Sequence, residues 1–136
     1  NIETVRRVFT SVRPGGNYDV SLDLLRKIKE IEPGTPTKSS IILGFDETLD
    51  EIRQTMQDLR NVNVDFLTLG QYLQPSIKHV KIVKYYTPNE FKELEQIGYA
   101  FGFKHVEAGP LVRSSYRADK LNAIISNNYK NFSAIS

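Results

Sequence analysis

Near its C-terminal end the chain reads GPLVRSSYRADK, from Gly109 to Lys120, with Ser114 and Ser115 held between Arg113 and Tyr116-Arg117. A pair of hydroxyls beside guanidinium groups, directly after an apolar run, is an unusual thing to place at the end of a strand. Other polar residues sit at comparable points. LGFDET puts Gly44, Asp46 and Glu47 after a second apolar run. A glycine there lets a ligand approach the backbone, and the carboxylates suit an amine or hydroxyl. Equally, first-turn acids complement the positive N-terminus of the helix that follows. GQYLQPS places Gln71, Tyr72 and Gln74 after a third run. Their amides and phenol can bind a ligand or satisfy loop backbone groups. In SVRPGGNYDV, Arg13 can grip a carboxylate with two parallel bonds, or be the solvated arginine of a Pro-Gly-Gly turn. The Gly spacing there is not that of a phosphate loop. His79 and His105 are too far apart to read as a local metal pair.

Positioning such residues requires alternating elements. SLDLLRKIKEI carries Leu22, Leu25 and Ile28 at helical spacing, widened by Leu24 and Ile31, with Ser21 as the expected N-cap. Pro33, Gly34 and Pro36 end that helix. Ser39 to Phe45 reads as a buried strand. A second helix begins at Thr48 with a capping box to Glu51, and presents Leu49, Ile52, Met56 and Leu59 on one face. Val64 to Leu73 is a second buried strand. A third helix has Thr87 as cap, Pro88 in its first turn and Glu90 completing the box. Its face is Phe91, Leu94, Gly98 and Phe101, and Gly102 stops it. FKHVEAGP is a third strand. Strands alternating with helices of this length make parallel βαβ units with right-handed crossovers. The expected fold is therefore α/β: the second half of a barrel, or part of an open sheet, with sites at the C-terminal strand ends. In a half-barrel, Ile41, Leu43, Phe66 and Leu67 are expected on the inner surface.

Composition removes several function classes. The 136 residues suit one domain, and 40% hydrophobic with 25% charged is a globular balance. No apolar run approaches the ~20 residues of a membrane span. The first residues carry charge rather than the apolar core of a signal peptide. With no initiator Met, the chain is expected to start partway through a gene. A net charge of +2, with bases and acids interleaved, does not favour nucleic acid. There is no cysteine, so these residues offer no disulfide, thiolate nucleophile or cysteine-ligated metal.

The blocks NIETV, VRPGGNYDVSLDLL, PTKSSIILGFDET, DLRNVNVDFLTLGQYLQPS, YYTPNEF and GFKHVEAGPLVRSSYRADK resemble the lipoyl synthase family, in the same order and over roughly residues 1–120. The resemblance implies a radical S-adenosylmethionine enzyme with a partial (β/α)6 barrel of TIM type, of which residues 1–120 are the C-terminal half and 121–136 a tail. Members of that family insert two sulfur atoms, at C6 and C8 of a protein-bound octanoyl group. They use S-adenosyl-L-methionine and two 4Fe-4S clusters. The cluster cysteines lie in the family's N-terminal part, outside this chain, so the chain alone is expected to be inactive and to have no catalytic residue of its own. The implied partners are an octanoylated lipoyl carrier domain or protein, the missing N-terminal half, a reductant and iron–sulfur carrier proteins, with no nucleic acid and no membrane. The implied location is the cytoplasm, or an organelle in a eukaryote.

Residue by residue, the resemblance places Asn1, Glu3 and Arg13 at the ribose and methionine end of the cofactor. Gly44 and Glu47 fall on the GxIxGxxE-like strand that lines it, and Gln71 and Tyr72 near the adenine and octanoyl chain. It makes one serine of RSSY a ligand of the auxiliary cluster: Ser114, with Ser115 as second choice. An alkoxide is a hard ligand among thiolates, easier to protonate away, and Arg113 favours its anionic form. The sequence departs from the family at Asp46, where Gly is usual, and at Lys81, where Pro is usual. One rival reading is a non-catalytic or split α/β module that completes a barrel with another chain. Another is a different radical enzyme, against which RSSY argues.

Overall fold

The computed structural model describes residues 1–112. Arg113, Ser114, Ser115 and the expected tail at 121–136 lie outside the described residues. The elements are α1 (Arg6–Val12), α2 (Tyr18–Ile31), β1 (Lys38–Leu43), α3 (Leu49–Asn61), β2 (Phe66–Gln71), α4 (Pro88–Ala100) and β3 (His105–Gly109). The helix boundaries follow local chemistry. Thr48 and Glu51 form the expected capping box, as do Thr87 and Glu90, where Pro88 opens the first turn. Gly102, at φ +99°, turns the chain out of α4, and Arg60 closes that corner by donating to the carbonyls of Phe101 and Val64.

Some boundaries differ from the sequence expectation. α2 starts earlier, at Tyr18, because the Asn17 side chain accepts from the Val20 amide at 3.1 Å, whereas Ser21 only donates back to the Asn17 carbonyl. Its inward face is Tyr18, Leu22 and Leu25; Leu24 and Ile31 are exposed and Ile28 partly so. α3 buries Ile52, Thr55, Met56 and Leu59, but Leu49 stays half exposed. The helix α1 has no side-chain cap, which removes the signal by which a short helix shows in sequence.

The strands form a parallel sheet in the order β1-β2-β3, with Lys38 opposite Phe66 and Phe66 opposite His105. Glu3 forms a further parallel bridge to Ile41, on the edge of β1 away from β2. Its amide donates to the Ser40 carbonyl (3.1 Å) and its carbonyl accepts from Ile42 (2.7 Å). Strands laid down in sequence order by right-handed crossovers carry their helices on one face. The described chain is therefore α/β, a three-stranded parallel sheet with one helical layer, compatible with part of a larger α/β fold. Three strands do not close a barrel.

Side chains alternate between faces along a strand. One face carries Ser39, Ile41, Leu43, Leu67, Leu69, Gln71 and Val106, nearly all of them buried among the core residues of the helices. The fit is close at Gly98 of α4, where an added Cβ would lie 2.9 Å from a Val106 methyl. Ile41, Leu43 and Leu67 thus point to the helices, not to an inner barrel surface; of the four expected there, only Phe66 lies on the opposite face. That opposite face is largely polar. Lys38, Phe66, Thr68, His105 and Glu107 line a cavity of about 220 Å³. On the same face the Ser40 and Thr68 hydroxyls bond to each other, and His105 and Glu107, two apart, pair at 3.4 Å.

At the N-terminal end of the sheet, Asp65 is buried and holds several groups at once. It accepts from the Thr37 amide (2.9 Å) and from Lys29 of α2 (2.6 Å), with the Lys104 ammonium at 3.6 Å. Burial raises its pKa, but the two ammonium groups and the amide together bring it below the ordinary 3.8. A depressed carboxylate contributes stability above its unfolded value, and that contribution is lost as pH falls through the folded value. Asp65→Asn is expected to cost about 2 to 3 kcal/mol at neutral pH, as for a lost charge-assisted bond. It should also flatten the loss of stability on acidification below pH 3.8. Thermal melts from pH 2 to 7 check both.

Candidate functional site

The C-terminal end of β1 turns at Gly44, whose φ of +124° is open to glycine alone among ordinary choices. A Cβ there would lie 2.3 Å from the Gln71 amide nitrogen. The Gly44 carbonyl accepts from the amides of Val83 and Lys84, at 2.7 and 3.2 Å. Gln71 donates to the carbonyls of Tyr72 and Lys84 and accepts from the Tyr86 amide at 2.9 Å. Glu47 folds back over the turn. One carboxylate oxygen accepts from the amides of Gly44 (3.0 Å) and Phe45 (3.2 Å), and the other from the Tyr86 hydroxyl (3.2 Å). Gly44, Glu47 and Gln71, expected as ligand contacts, are thus brought together, and their polar groups bind the loop that returns at 83–86.

Strand parity explains Gln71: it shares a face with Leu43, so its side chain enters the helical layer. Tyr72, the next residue, turns the other way, stacks on Phe45 with ring centroids 4.6 Å apart and donates to the Val80 carbonyl at 2.6 Å. Gln74 donates to the carbonyls of Ser76 and His79, and His79 pairs with the Ser76 hydroxyl; these are bonds internal to the loop. Asp46 meets Arg7, which also clasps Glu51 through two nitrogens. That bonding raises the Arg7 pKa and lowers Glu51 to about 2. Leu49 lines a groove of about 260 Å³ between α3 and α4, with Glu47 and Tyr86 at one end.

The second group gathers on the edge of β1. Glu3 sits at φ +70°, in a three-residue turn closed by the Thr4 amide on the Ile2 carbonyl at 2.9 Å. A side-chain-bearing residue in this region is strained, and strain of this kind concentrates at functional positions. Arg13, in the turn that ends α1, brings its guanidinium to 3.6 Å from the Glu3 carboxylate. That turn is tight, since a Cβ on Gly16 would touch the Phe9 ring at 3.0 Å. The Thr4 hydroxyl is fully buried and has no hydrogen-bond partner, a state that costs about 1 to 3 kcal/mol. Nothing in the residue types drew attention to Thr4; its signal is the geometry. Glu3 lies beside Ile41, three residues before Gly44, so the two groups are roughly 10 Å apart along the strand. Among the described residues no group of three or more His, Asp or Glu is arranged to hold a metal ion, and no helix is long and apolar enough to cross a membrane.

These features define a class: a parallel α/β unit whose polar groups collect at strand ends. No family model matches the chain. Curated relatives do. It is 58% identical over 120 residues to the lipoyl synthase of Shouchella clausii (strain KSM-K16), which covers 88% of this chain and 39% of the relative. The lipoyl synthase of Halalkalibacterium halodurans is also 58% identical over 120 residues, 40% of its length, and that of Oceanobacillus iheyensis 60%, over 38% of its length. Over this stretch the chain is homologous to lipoyl synthase. It spans about two fifths of the length of the curated relatives it matches.

Burial is the largest influence on Glu47 and raises its pKa above 4.5, against the pull of its amide and phenol donors. A raised carboxylate contributes stability below its unfolded value and loses it as pH rises through the folded value. Glu47→Gln is therefore expected to abolish a decline in stability that begins above pH 4.5. Melting temperatures of the two proteins should converge at low pH and separate as pH rises, with the variant losing less. Parallel profiles would remove Glu47 as the source.

Proposed function

We propose that the chain is the C-terminal part of a lipoyl synthase: half of a partial (β/α)6 barrel over residues 1–120, with a tail at 121–136. In the complete protein it would take part in inserting two sulfur atoms into a protein-bound octanoyl group. The observation that carries this reading is identity near 58% over 120 residues to proteins of that name. Strands in sequence order, with a further strand edge at Glu3, are compatible with a slice of such a barrel.

Residue chemistry supports a cofactor role for the edge group. S-adenosylmethionine offers an amino-acid end with one ammonium and one carboxylate, and a ribose. A carboxylate and a guanidinium, Glu3 and Arg13, are complementary to that end, Asn1 adds an amide, and the Thr4 hydroxyl has no partner in the structure. When bound, the cofactor supplies hydrogen abstraction from the octanoyl chain. The part of this chain would be to bind and orient. Gly44 and Tyr72 would border the ligand, while Glu47 and Gln71 act as positioning residues that fix the turn and the loop at 83–86. Among the described residues no group of three or more His, Asp or Glu converges to hold a cluster. The proposed contribution to them is one serine outside those residues, Ser114, with Ser115 as second choice. The cytoplasm, the carrier protein, the reductant and the iron–sulfur carriers belong to the same proposal.

The test joins this chain behind the upstream part of the Shouchella clausii lipoyl synthase. The fusion is expected to lipoylate an octanoylated carrier domain; a folded, iron-loaded fusion without that activity would favour a non-catalytic module. Arg13→Ala should weaken S-adenosylmethionine by roughly ten- to a hundredfold in titration calorimetry, with iron content unchanged. Ser114→Ala should still yield 5′-deoxyadenosine but no lipoyl product, while Ser115→Ala behaves as the parent. Full activity in both serine variants would end the cluster assignment.

A further inference from the structure

The helix α2 has two apolar faces. Tyr18, Leu22 and Leu25 face the core. Val20, Leu24, Ile28 and Ile31 follow each other at the spacing of a second stripe, and are 64%, 61%, 38% and 79% exposed. At 3.6 residues per turn the two faces are centred roughly 130° apart, so no rolling of the helix could bury both against the same neighbours. The polar sector lies elsewhere on the cylinder, where Arg26 pairs with Asp23 and Glu30, and Lys27 with Asp23. A contiguous aliphatic stripe on a folded domain marks a contact surface.

The sheet indicates the occupant. Glu3 lies on the free edge of β1, in parallel, so the layer of strands continues past β1 through the strand that holds Ile2 and Glu3. Each parallel step carries a connecting helix on the same face. α2 is already engaged with α3 through the Tyr18 hydroxyl, which reaches Thr55 and Asp58. The next place in the layer, beyond α2, falls to a helix leading into Asn1. The curated relatives are longer than this chain, which spans about two fifths of them, and the partial-barrel reading puts part of that additional length upstream of Asn1. A second copy of this chain is a poorer occupant. Four side chains fall far short of the about 800 Å² per partner of a stable interface, whereas a covalently connected helix has no association entropy to overcome.

We infer that the stripe Val20, Leu24, Ile28 and Ile31 is the seat of an amphipathic helix from the segment upstream of Asn1 in the longer protein, packed along α2. This rests on the partial-barrel reading. The lack of cysteine makes it testable. Leu24→Cys, and separately Val20→Cys, is placed in the chain alone and in the fusion described above with its upstream cysteines replaced by serine; Glu30→Cys is the control. Folding is checked by circular dichroism. In the fusion, maleimide labelling at positions 20 and 24 should slow at least about tenfold, because it then requires local opening, while position 30 labels alike in both proteins. Labelling at 24 as fast in the fusion as in the chain alone overturns the inference. So does slow labelling in the chain alone accompanied by dimer mass in sedimentation, which would assign the stripe to a second copy. Hydrogen exchange over residues 1–5 of the fusion separates the two levels. Protection there with fast labelling at 24 ends the seat and spares the added strand; no protection with fast labelling ends both.

Discussion

The left-handed turn at Gly44 is the constraint on which the upper end of the structure depends. A side chain there would collide with Gln71, and without the turn the Gly44 carbonyl could not face the amides of Val83 and Lys84. Those bonds, with the ones made by Gln71 and Glu47, secure the start of α4 against the ends of β1 and β2. Each is worth only about 0.5 to 1.5 kcal/mol net. Their effect is collective, because Tyr86 is held through both its amide and its hydroxyl, by two different side chains. The same turn lets Glu47 reach back over the backbone just before α3 begins at its Thr48 cap.

Two buried carboxylates mark the opposite ends of the sheet and respond to pH with opposite sign. Asp65 is surrounded by two ammonium groups as well as an amide, so its charged form is favoured despite burial. Glu47 has only neutral donors, two amides and a phenol, and burial prevails. The difference is that between a full opposite charge and an oriented dipole. It leaves the strand-start end fastened best at neutral pH, while at the strand-finish end burial raises the carboxylate's pKa.

Much of the framework was legible in the sequence, because it is written in local chemistry. The capping boxes at Thr48 and Thr87, Pro88, and the stop at Gly102 specify helix ends without reference to the rest of the chain. Apolar runs located all three strands, though each proved shorter than the run. What local pattern could not supply was direction. Leu24 and Ile31 have helical spacing but belong to the wrong side of α2, and Ile41 and Leu43 face the helices because of the parity set by the sheet. For Glu47 and Gln71 the residue types suggested ligand contact, yet whether an amide or carboxylate points outward depends on the turn at Gly44. The helix α1 has no cap to announce it, and Arg7, which binds both Asp46 and Glu51, is one of many arginines until the fold brings residues some forty positions apart together.

Among the described residues the capacities of this unit are uneven, and the unevenness has a chemical basis. Parallel strands expose backbone groups and turn residues at their ends, so binding and orientation come readily to such a sheet. Iron–sulfur chemistry requires a set of soft ligands converging on one point, and a chain without cysteine cannot provide that set. Strain at Glu3, the orphan hydroxyl of Thr4 and the Glu3–Arg13 pair gather at the free edge of β1, and the tightly bonded turn at Gly44 lies at its C-terminal end. In the first group the Thr4 hydroxyl has no partner, while the second spends its polar groups on the turn and on the loop at 83–86. Under the proposed function, a ligand at these strand ends would find its charge partners at the edge of β1 and a rigid wall at the turn, which is a division of labour between recognition and shape.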